Sequence, residues 1–222
     1  MLTNTKSVAR LSRYRIALYR FKSFQSPWIL SEQLAASLGI TAAQVRKDFS
    51  VFGVTGKRKS GYNVDVLLEK LDALLGKNER NKAIIAGFGP LGKTLYREYF
   101  KKDMALEVMA AFDETASAPA GIDEETGLHV LPIEALVNYV ARHRIPYGII
   151  AAASGSAQRF LDRMVLAGIR GIVNFSAVEL KIPKTCVIRD INPVRELENV
   201  IYFTRHHRTG KHAERNEKLP DA

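Results

Sequence analysis

The sequence predicts an α/β protein of two domains: an N-terminal winged helix-turn-helix domain over residues 1–80 and a C-terminal Rossmann-like parallel sheet domain over residues 81–205. The first is predicted by two helices joined at a glycine turn and followed by a basic hairpin. The second is predicted by strand–helix alternation that begins near Lys82 and contains Gly-x-Gly-x-x-Gly. Residues 206–222 are polar, and we expect a disordered tail.

The distribution of charge indicates which domain meets a polyanion. The 222-residue chain has a net charge of +10 and a pI near 9.7. Residues 1–80 contain 14 Lys and Arg against 6 Asp and Glu, whereas residues 81–205 contain 15 against 14. The excess positive charge therefore belongs to the first domain, which favours nucleic acid as its partner.

Cysteine content and hydropathy exclude several classes of protein. Cys186 is the single cysteine, so neither an internal disulfide nor a zinc site built on several thiolates is possible, and we predict no metal. The apolar runs are too short to span a bilayer, and the first residues lack a hydrophobic leader. We expect a cytoplasmic protein without a membrane partner.

The helix-turn-helix begins after one long helix. Residues 7–24 carry apolar residues three and four apart, which predicts a first helix. Ser31 is the expected N-cap of a second helix that ends at Gly39. Thr41 then caps a third helix, with Gln44 completing a capping box.

The third helix has the pattern of a recognition helix. Val45, Phe49 and Phe52 form its apolar face. The opposite face carries the expected DNA contacts: Gln44, Arg46, Lys47 and Ser50. Such a helix would enter the major groove.

A basic wing follows this helix. Lys57, Arg58 and Lys59 lie between Gly56 and Gly61 and would contact phosphates or the minor groove. The alternative is a solvated amphipathic helix beside a lysine-rich loop, because many charge runs are only solvated surfaces. Asn63 is then the expected cap of a fourth helix, and residues 77–81 form the expected domain boundary.

The second domain opens with a nucleotide-binding motif. The motif reads Gly87-Phe88-Gly89-Pro90-Leu91-Gly92, follows an apolar strand and opens a helix. Asp113 lies 21 residues after Gly92 at the end of the next strand, where a carboxylate binds ribose hydroxyls. We therefore predict NAD(H) rather than NADP(H). Alternatively, the glycines serve only packing of strand on helix.

Pro90 is unusual in such a motif because it removes one N–H from the phosphate cradle. At the first helical position the loss is small, since proline suits that position.

No catalytic residue is apparent in the sequence. A Tyr-x-x-x-Lys pair and a Gly-x-Ser-x-Gly nucleophile turn are both absent. A nucleotide-binding fold without an acid, base or nucleophile favours sensing over turnover. A small NAD-dependent Rossmann enzyme with an accessory helical domain remains an alternative.

Over roughly residues 7–204 the chain resembles the Rex family of redox-sensing transcriptional repressors. The resemblance rests on Ala43–Ser50, Phe52-Gly53, Gly56–Arg58, Gly61-Tyr62, the glycine motif, Ala110–Asp113, Ala167–Ile172 and Asn174-Phe175. It implies a homodimer that binds an inverted-repeat DNA operator and leaves it when NADH replaces NAD⁺. It also implies that the last helix, near Val194–Thr204, swaps between subunits.

The same resemblance assigns roles to individual residues. It places Arg46 and Lys47 on the recognition helix and Lys57 and Arg58 in the wing. It gives Arg10 a contact with backbone phosphate. The glycines of the motif would hold pyrophosphate, and Asp113 would hold the adenosine ribose.

The departures from the family pattern lie near the expected sensor. Pro90 replaces a common Asn, Ala152-Ala153-Ser154 replaces a Val-Pro-Ala type turn, and Asn192 replaces an Asp implicated in coupling to the DNA-binding domain. Tyr96 and Tyr99 bracket the usual place of a partner tyrosine. The switch candidates are Tyr96, Tyr99 and Asn192. The departures leave open a Rex-like regulator with an altered or lost dinucleotide response.

Overall fold

A computed structural model describes residues 5–24, 27–57, 60–116 and 121–216. The chain divides into two compact units, Met1–Arg80 and Asn81–Ala222.

The first unit is a four-helix winged fold. Its elements are α1 (Thr5–Ser23), β1 (Trp28–Ile29), α2 (Ser31–Leu38), α3 (Ala42–Val51), β2 (Tyr62–Asn63) and α4 (Val64–Leu74). β1 and β2 pair antiparallel, with Ile29 opposite Tyr62. All four helices contribute to one buried core, which includes Leu11, Leu18, Leu34, Phe49 and Leu71.

Local capping positions two of these helices as predicted. The Thr41 side chain accepts a hydrogen bond from the Gln44 N–H at 3.1 Å, and the Asn63 side chain accepts one from the Val66 N–H at 3.0 Å. The predicted cap at Ser31 is wrong. Leu30 is the extended residue before α2, and its N–H donates to Gln33 Oε1 at 2.8 Å, so Ser31 begins the helix itself.

The second unit is a seven-stranded sheet in the order β5-β6-β4-β3-β7-β8-β9. The strands are β3 (Asn81–Ala86), β4 (Leu106–Asp113), β5 (Gly121–Ile122), β6 (His129–Pro132), β7 (Tyr147–Ile150), β8 (Gly171–Asn174) and β9 (Val187–Asp190). Every neighbouring pair is parallel except β5 with β6. Without the two-residue β5, this is the strand order of a Rossmann fold.

Helices cover this sheet, and the glycine motif lies at its carboxyl edge, directly after β3. They are α5 (Pro90–Leu95), a π-helical turn (Tyr96–Phe100), α6 (Leu136–His143, after a 3₁₀ turn at Ile133–Ala135) and α7 (Ala157–Leu166). Ile84 and Phe112 point to the core shared with α6 and α7. Ile85 and Ala111 point to the opposite core, which includes Phe88. The described helices include none long and apolar enough to cross a membrane.

The last helix, α8 (Pro193–Asn216), is longer than predicted. We expected it to end near Thr204, before a disordered tail. The backbone is helical to Asn216, and this stretch contains no proline; its Arg, Lys, Ala and Glu favour a helix, although Gly210 does not. Residues 217–222 of the predicted tail lie outside the described residues.

Candidate functional site

The third helix presents a cationic surface to solvent. Val45 and Phe49 are fully buried against the core, so the opposite face of α3 points outward. Arg46, Lys47 and Ser50 are exposed on that face, as the sequence predicted. A helix of ten residues with this division of polar and apolar side chains has the dimensions to enter a DNA major groove.

Arg46 is held by two side chains of α2. Its Nη1 donates to Ser31 Oγ and to Glu32 Oε1, both at 2.9 Å. Ser31 in turn donates to Glu32 Oε2 at 3.1 Å. No sequence pattern marks this cluster, because Arg46 lies 14 residues from Glu32 and the two meet only when the helices pack.

Arg10, which was predicted to contact backbone phosphate, forms an ion pair with a side chain of α3. Its Nε and Nη2 donate to Asp48 at 2.5 and 2.7 Å, forming a two-point ion pair with a carboxylate on α3. Tyr14 Oη donates to the same carboxylate at 2.7 Å. Arg10 therefore links α1 to α3, and its guanidinium has a carboxylate partner within the first unit.

Gln44 also turns to Asp48, to which its Nε2 donates at 2.9 Å. This bond replaces the reciprocal half of the predicted capping box. Burial opposes the ionised form of Asp48, but the hydrogen bonds from Arg10 and Tyr14 outweigh it and hold its pKa below the ordinary value. Burial and the bond to Asp48 raise the pKa of Tyr14, so the phenol stays protonated as a donor.

The wing begins as the sequence predicted. Lys57 and Gly61 form an antiparallel bridge, with Lys57 N–H donating to the Gly61 carbonyl at 2.7 Å. The Lys57 ammonium lies 5.2 Å from the centre of the Trp28 ring. Arg58 and Lys59 fall outside the described residues.

The glycine motif forms a close strand-to-helix turn. Gly87 has φ 85°, and a Cβ there would collide with the backbone of Ala152. A Cβ at Gly92 would collide with the Gly87 carbonyl, whereas one at Gly89 would meet open space. The two outer glycines are therefore required for packing, and Gly89 leaves its backbone accessible. Pro90 is the first residue of α5, as predicted, with Leu91 exposed beside it.

Asp113 lies opposite this turn at the end of β4. Its Oδ2 accepts from the Phe88 N–H at 2.7 Å, and its Oδ1 accepts from Thr115 N–H and Oγ1 at 2.9 and 2.7 Å. Burial opposes ionisation, but these bonds prevail and lower its pKa. Oδ1 already accepts two bonds, whereas Oδ2 accepts one and keeps acceptor capacity for a ribose hydroxyl.

A cavity of about 580 Å³ lies between the motif and this carboxylate. Its wall includes Phe88, Gly89, Asp113, Thr115 and Ile122. This volume falls within the range of cofactor pockets.

Lys93 and Asp123 also line this cavity and form an ion pair with each other. The prediction from sequence missed both residues. Lys93 directly follows the motif, which was a usable signal, but nothing in the sequence marks Asp123 as its partner.

The switch candidates have different environments. Tyr96 packs edge-on against Phe88 of the motif, with ring centres 6.4 Å apart, whereas Tyr99 is exposed. Asn192 caps α8, because its Oδ1 accepts from Val194 N–H at 3.0 Å and Arg195 N–H at 3.3 Å. Only Tyr96 is thus joined to the nucleotide motif by a contact found within the described chain.

Metal ligands do not cluster in the part of the chain that the structure describes. Among the residues whose side chains are described, no group of three His, Cys, Asp or Glu could hold a metal ion.

The fold and these surfaces define a class of protein: a DNA-binding regulator whose second unit carries a dinucleotide cavity. Residues 5–50 match the family model described as "Putative DNA-binding protein N-terminus", and residues 78–178 match "CoA binding domain".

Curated relatives and solved structures identify the family. The redox-sensing transcriptional repressor Rex of Streptococcus agalactiae serotype Ia is 32% identical, covering 89% of this chain and 97% of the relative. The Rex of Streptococcus uberis is 30% identical, covering 89% and 95%. The chain belongs to the Rex family of redox-sensing transcriptional repressors.

Solved structures of one Rex-family repressor, RSP, are similar over nearly the whole chain. RSP in complex with NAD⁺ and operator DNA has a TM-score of 0.85 at 28% identity, covering 99% of this chain and all of that one. RSP in complex with NADH has a TM-score of 0.81 at 27% identity, covering 96% and 99%.

Proposed function

We propose that this protein is a homodimeric repressor that binds an inverted-repeat operator and is released when NADH occupies its Rossmann unit. The observation that carries the proposal is the combination, in one chain, of an exposed cationic recognition helix and a cavity bounded by Gly89 and Asp113. RSP, which shares the fold, has been crystallised with operator DNA and with both redox forms of the cofactor.

For DNA, the proposal assigns base reading to the exposed side of α3. Arg46, which is exposed on that face, would contact a guanine, and Lys47 and Ser50 would flank it. The wing residues Lys57, Arg58 and Lys59 would neutralise phosphates. Arg10 and Gln44 support α3 through Asp48 and are not assigned a DNA contact.

For the cofactor, the proposal assigns pyrophosphate to the turn from Gly87 to Gly92. Ribose hydroxyls would bond to Asp113, whose lowered pKa keeps it ionised at neutral pH. NAD(H) would supply the redox signal through the two states of its nicotinamide. Pro90 is tolerated as the first residue of α5 because an N1 residue has no intrahelical N–H bond to lose, and the phosphates would be held by other N–H groups of the turn.

For the dimer, the proposal relies on α8. Val194, Leu197 and Ile201 lie three and four residues apart on it and are exposed in the single chain. An apolar pocket on the sheet is also lined by Tyr147 and Val187, which are exposed in the single chain. Exposed apolar patches of this kind mark interfaces, so we propose a second copy as the partner, with α8 exchanged between subunits.

Regulation without catalysis is part of the same proposal. The cavity wall offers Asp113, Lys93 and Asp123, each already bonded to protein groups, and its described residues include no nucleophile–base pair. Such a wall suits binding better than turnover. A repressor acts where its operator lies, so we propose the cytoplasm as its location.

A regulator that has lost its dinucleotide response is the second candidate. The replacements at Pro90, Ala152–Ser154 and Asn192 favour it, because they fall at the expected sensor. Asn192 nevertheless keeps a helix-capping role that an Asp would also fill. The helix cap at position 192 is therefore retained, whereas the negative charge of the Asp that is usual in the family is absent.

Operator binding tests the first half of the proposal. The purified chain would be titrated against a duplex containing a Rex-type inverted repeat and a scrambled duplex of equal composition, at one fixed salt concentration. We expect the repeat to bind about 10³-fold or more tightly, the lower range for specific binding. Arg46→Ala should reduce that preference, whereas Arg142→Ala, on α6 of the other unit, serves as the control. Equal affinity for both duplexes would contradict the proposal.

A further inference from the structure

We infer that the Lys93–Asp123 ion pair selects against a 2′-phosphate on the bound dinucleotide, so that Asp123 is a specificity-determining residue. The inference rests on the proposed function, since it concerns the ligand of the same cavity. It goes beyond the prediction from sequence, which assigned this selection to Asp113 alone.

The two residues come from different parts of the fold. Lys93 lies on α5 directly after the motif, and Asp123 lies just after β5. The Lys93 ammonium contacts Asp123 Oδ2, and both side chains line the cavity that contains Asp113. Asp123 is 12% exposed and Lys93 is 32% exposed, so the pair is only partly screened by water.

Asp123 is held firmly by its own loop. Its Oδ1 accepts from Thr126 N–H at 3.1 Å and from Thr126 Oγ1 at 2.9 Å. Its backbone N–H donates to the Leu128 carbonyl at 3.0 Å, and its carbonyl accepts from Gly127 N–H at 2.8 Å. Lys93 is the flexible member of the pair, and the fixed carboxylate determines where its charge lies.

The charges of the cavity wall follow from this arrangement. Asp113 contributes one negative charge, while Lys93 and Asp123 cancel each other. A dinucleotide with free ribose hydroxyls can donate to Asp113, whereas a 2′-phosphate adds about two negative charges to a wall that is already acidic. The ammonium that could neutralise a 2′-phosphate is held by Asp123.

Asp123→Asn tests this reasoning without disturbing the loop. The Asn carbonyl oxygen can replace Oδ1 as the acceptor from Thr126, while its amide replaces Oδ2 and cannot accept from Lys93. The loop is retained and Lys93 is released. The matched control is Asp162→Asn, which removes one carboxylate from α7, where Asp162 accepts from Gln158.

The measurement is the ratio of the dissociation constants for NADPH and NADH, from the fluorescence of each reduced dinucleotide bound to the purified protein. We expect Asp123→Asn to lower this ratio by about tenfold, which corresponds to about 1.4 kcal/mol. Asp162→Asn should leave it unchanged. Circular dichroism of each variant checks that the fold is retained.

A second substitution assigns the effect to the released ammonium. In the Lys93→Met background, Asp123→Asn should no longer lower the ratio, because no ammonium is left to release. If the ratio falls equally in that background, a general loss of negative charge is responsible and the inference is overturned. An equal gain in affinity for NADH and NADPH would also overturn the inference. That result would place the Lys93 ammonium at the pyrophosphate, which both dinucleotides share.

The result also separates this inference from the proposed function. If the unsubstituted protein binds neither dinucleotide, the proposed function fails. If it binds NADH and Asp123→Asn leaves the ratio unchanged, only the role of Asp123 fails.

Discussion

Replacement of Asp48 by Asn should destabilise the first unit and weaken DNA binding. Asp48 lies on the buried side of α3, where Arg10, Tyr14 and Gln44 all donate to its carboxylate. The variant keeps the size of the side chain but removes its charge and one of its two acceptor atoms. Arg10 and Tyr14 are then left incompletely paired.

The expected loss follows from the burial of the pair. Breaking a buried ion pair by removing one partner costs about 3–5 kcal/mol. Asp48 is 3% exposed but Arg10 is 21% exposed, so water relieves part of the unpaired charge. We therefore expect the lower end, about 3 kcal/mol. That is a large share of the roughly 5–15 kcal/mol that stabilises a typical domain.

Urea unfolding followed by the fluorescence of Trp28 measures this loss. Trp28 is the single tryptophan of the chain and lies in β1, so its signal reports the first unit. Asp65→Asn is the matched control, because Asp65 is 68% exposed and pairs with Lys22, which is 57% exposed. Exposed pairs contribute about 0–1 kcal/mol. If Asp48→Asn costs no more than Asp65→Asn, the central role of the Arg10–Asp48 pair is refuted.

The same pair has a defined pH dependence. Because folding lowers the pKa of Asp48, its contribution is fully present above the unfolded value of about 3.9 and is lost as the pH falls through the folded pKa. The difference in unfolding free energy between the unsubstituted protein and Asp48→Asn should therefore narrow below about pH 4. A difference that stays constant down to about pH 2 would contradict ionisation as its source.

The remaining predictions concern the two binding surfaces. The first variant replaces the wing residues Lys57, Arg58 and Lys59 by Ala. The slope of log K for DNA binding against log salt concentration should become shallower by about 0.9 for each phosphate that the wing no longer neutralises. An unchanged slope would show that the wing does not bind phosphate. Asp113→Ala should weaken NADH binding in a fluorescence titration, and retained affinity would mean that the ribose lies elsewhere. Glu32→Gln should release the Arg46 guanidinium, so that discrimination between operator variants falls by more than the affinity for scrambled DNA changes. Equal changes in affinity for operator and scrambled duplexes would contradict a role of Glu32 in orienting Arg46.

Local features of the fold were predictable because a few neighbouring residues determine them. The caps at Thr41 and Asn63 need only a side-chain oxygen and the N–H three residues on. The spacing from Gly92 to Asp113 predicts a nucleotide site, because this spacing is that of one strand–helix–strand unit with the glycine turn and the carboxylate at the same edge of the sheet.

Contacts between distant residues were not predictable. Arg10 has the same sequence signature whether it binds phosphate or a buried carboxylate, and its partner lies 38 residues away. Asp123 shows no pattern that links it to Lys93. The length of α8 does not follow from its polar composition, which is compatible with disorder as well as with a helix.

The central claim is that NADH binding and operator binding are coupled. Fluorescence anisotropy of a labelled inverted-repeat duplex would be recorded with the dimer at fixed salt, first with NADH and then with NAD⁺. We expect NADH to weaken operator binding by about 5- to 150-fold, the usual range of allosteric coupling, and NAD⁺ to have a much smaller effect. Tight operator binding that is indifferent to both dinucleotides would contradict the claim and would favour a regulator that has lost its redox response.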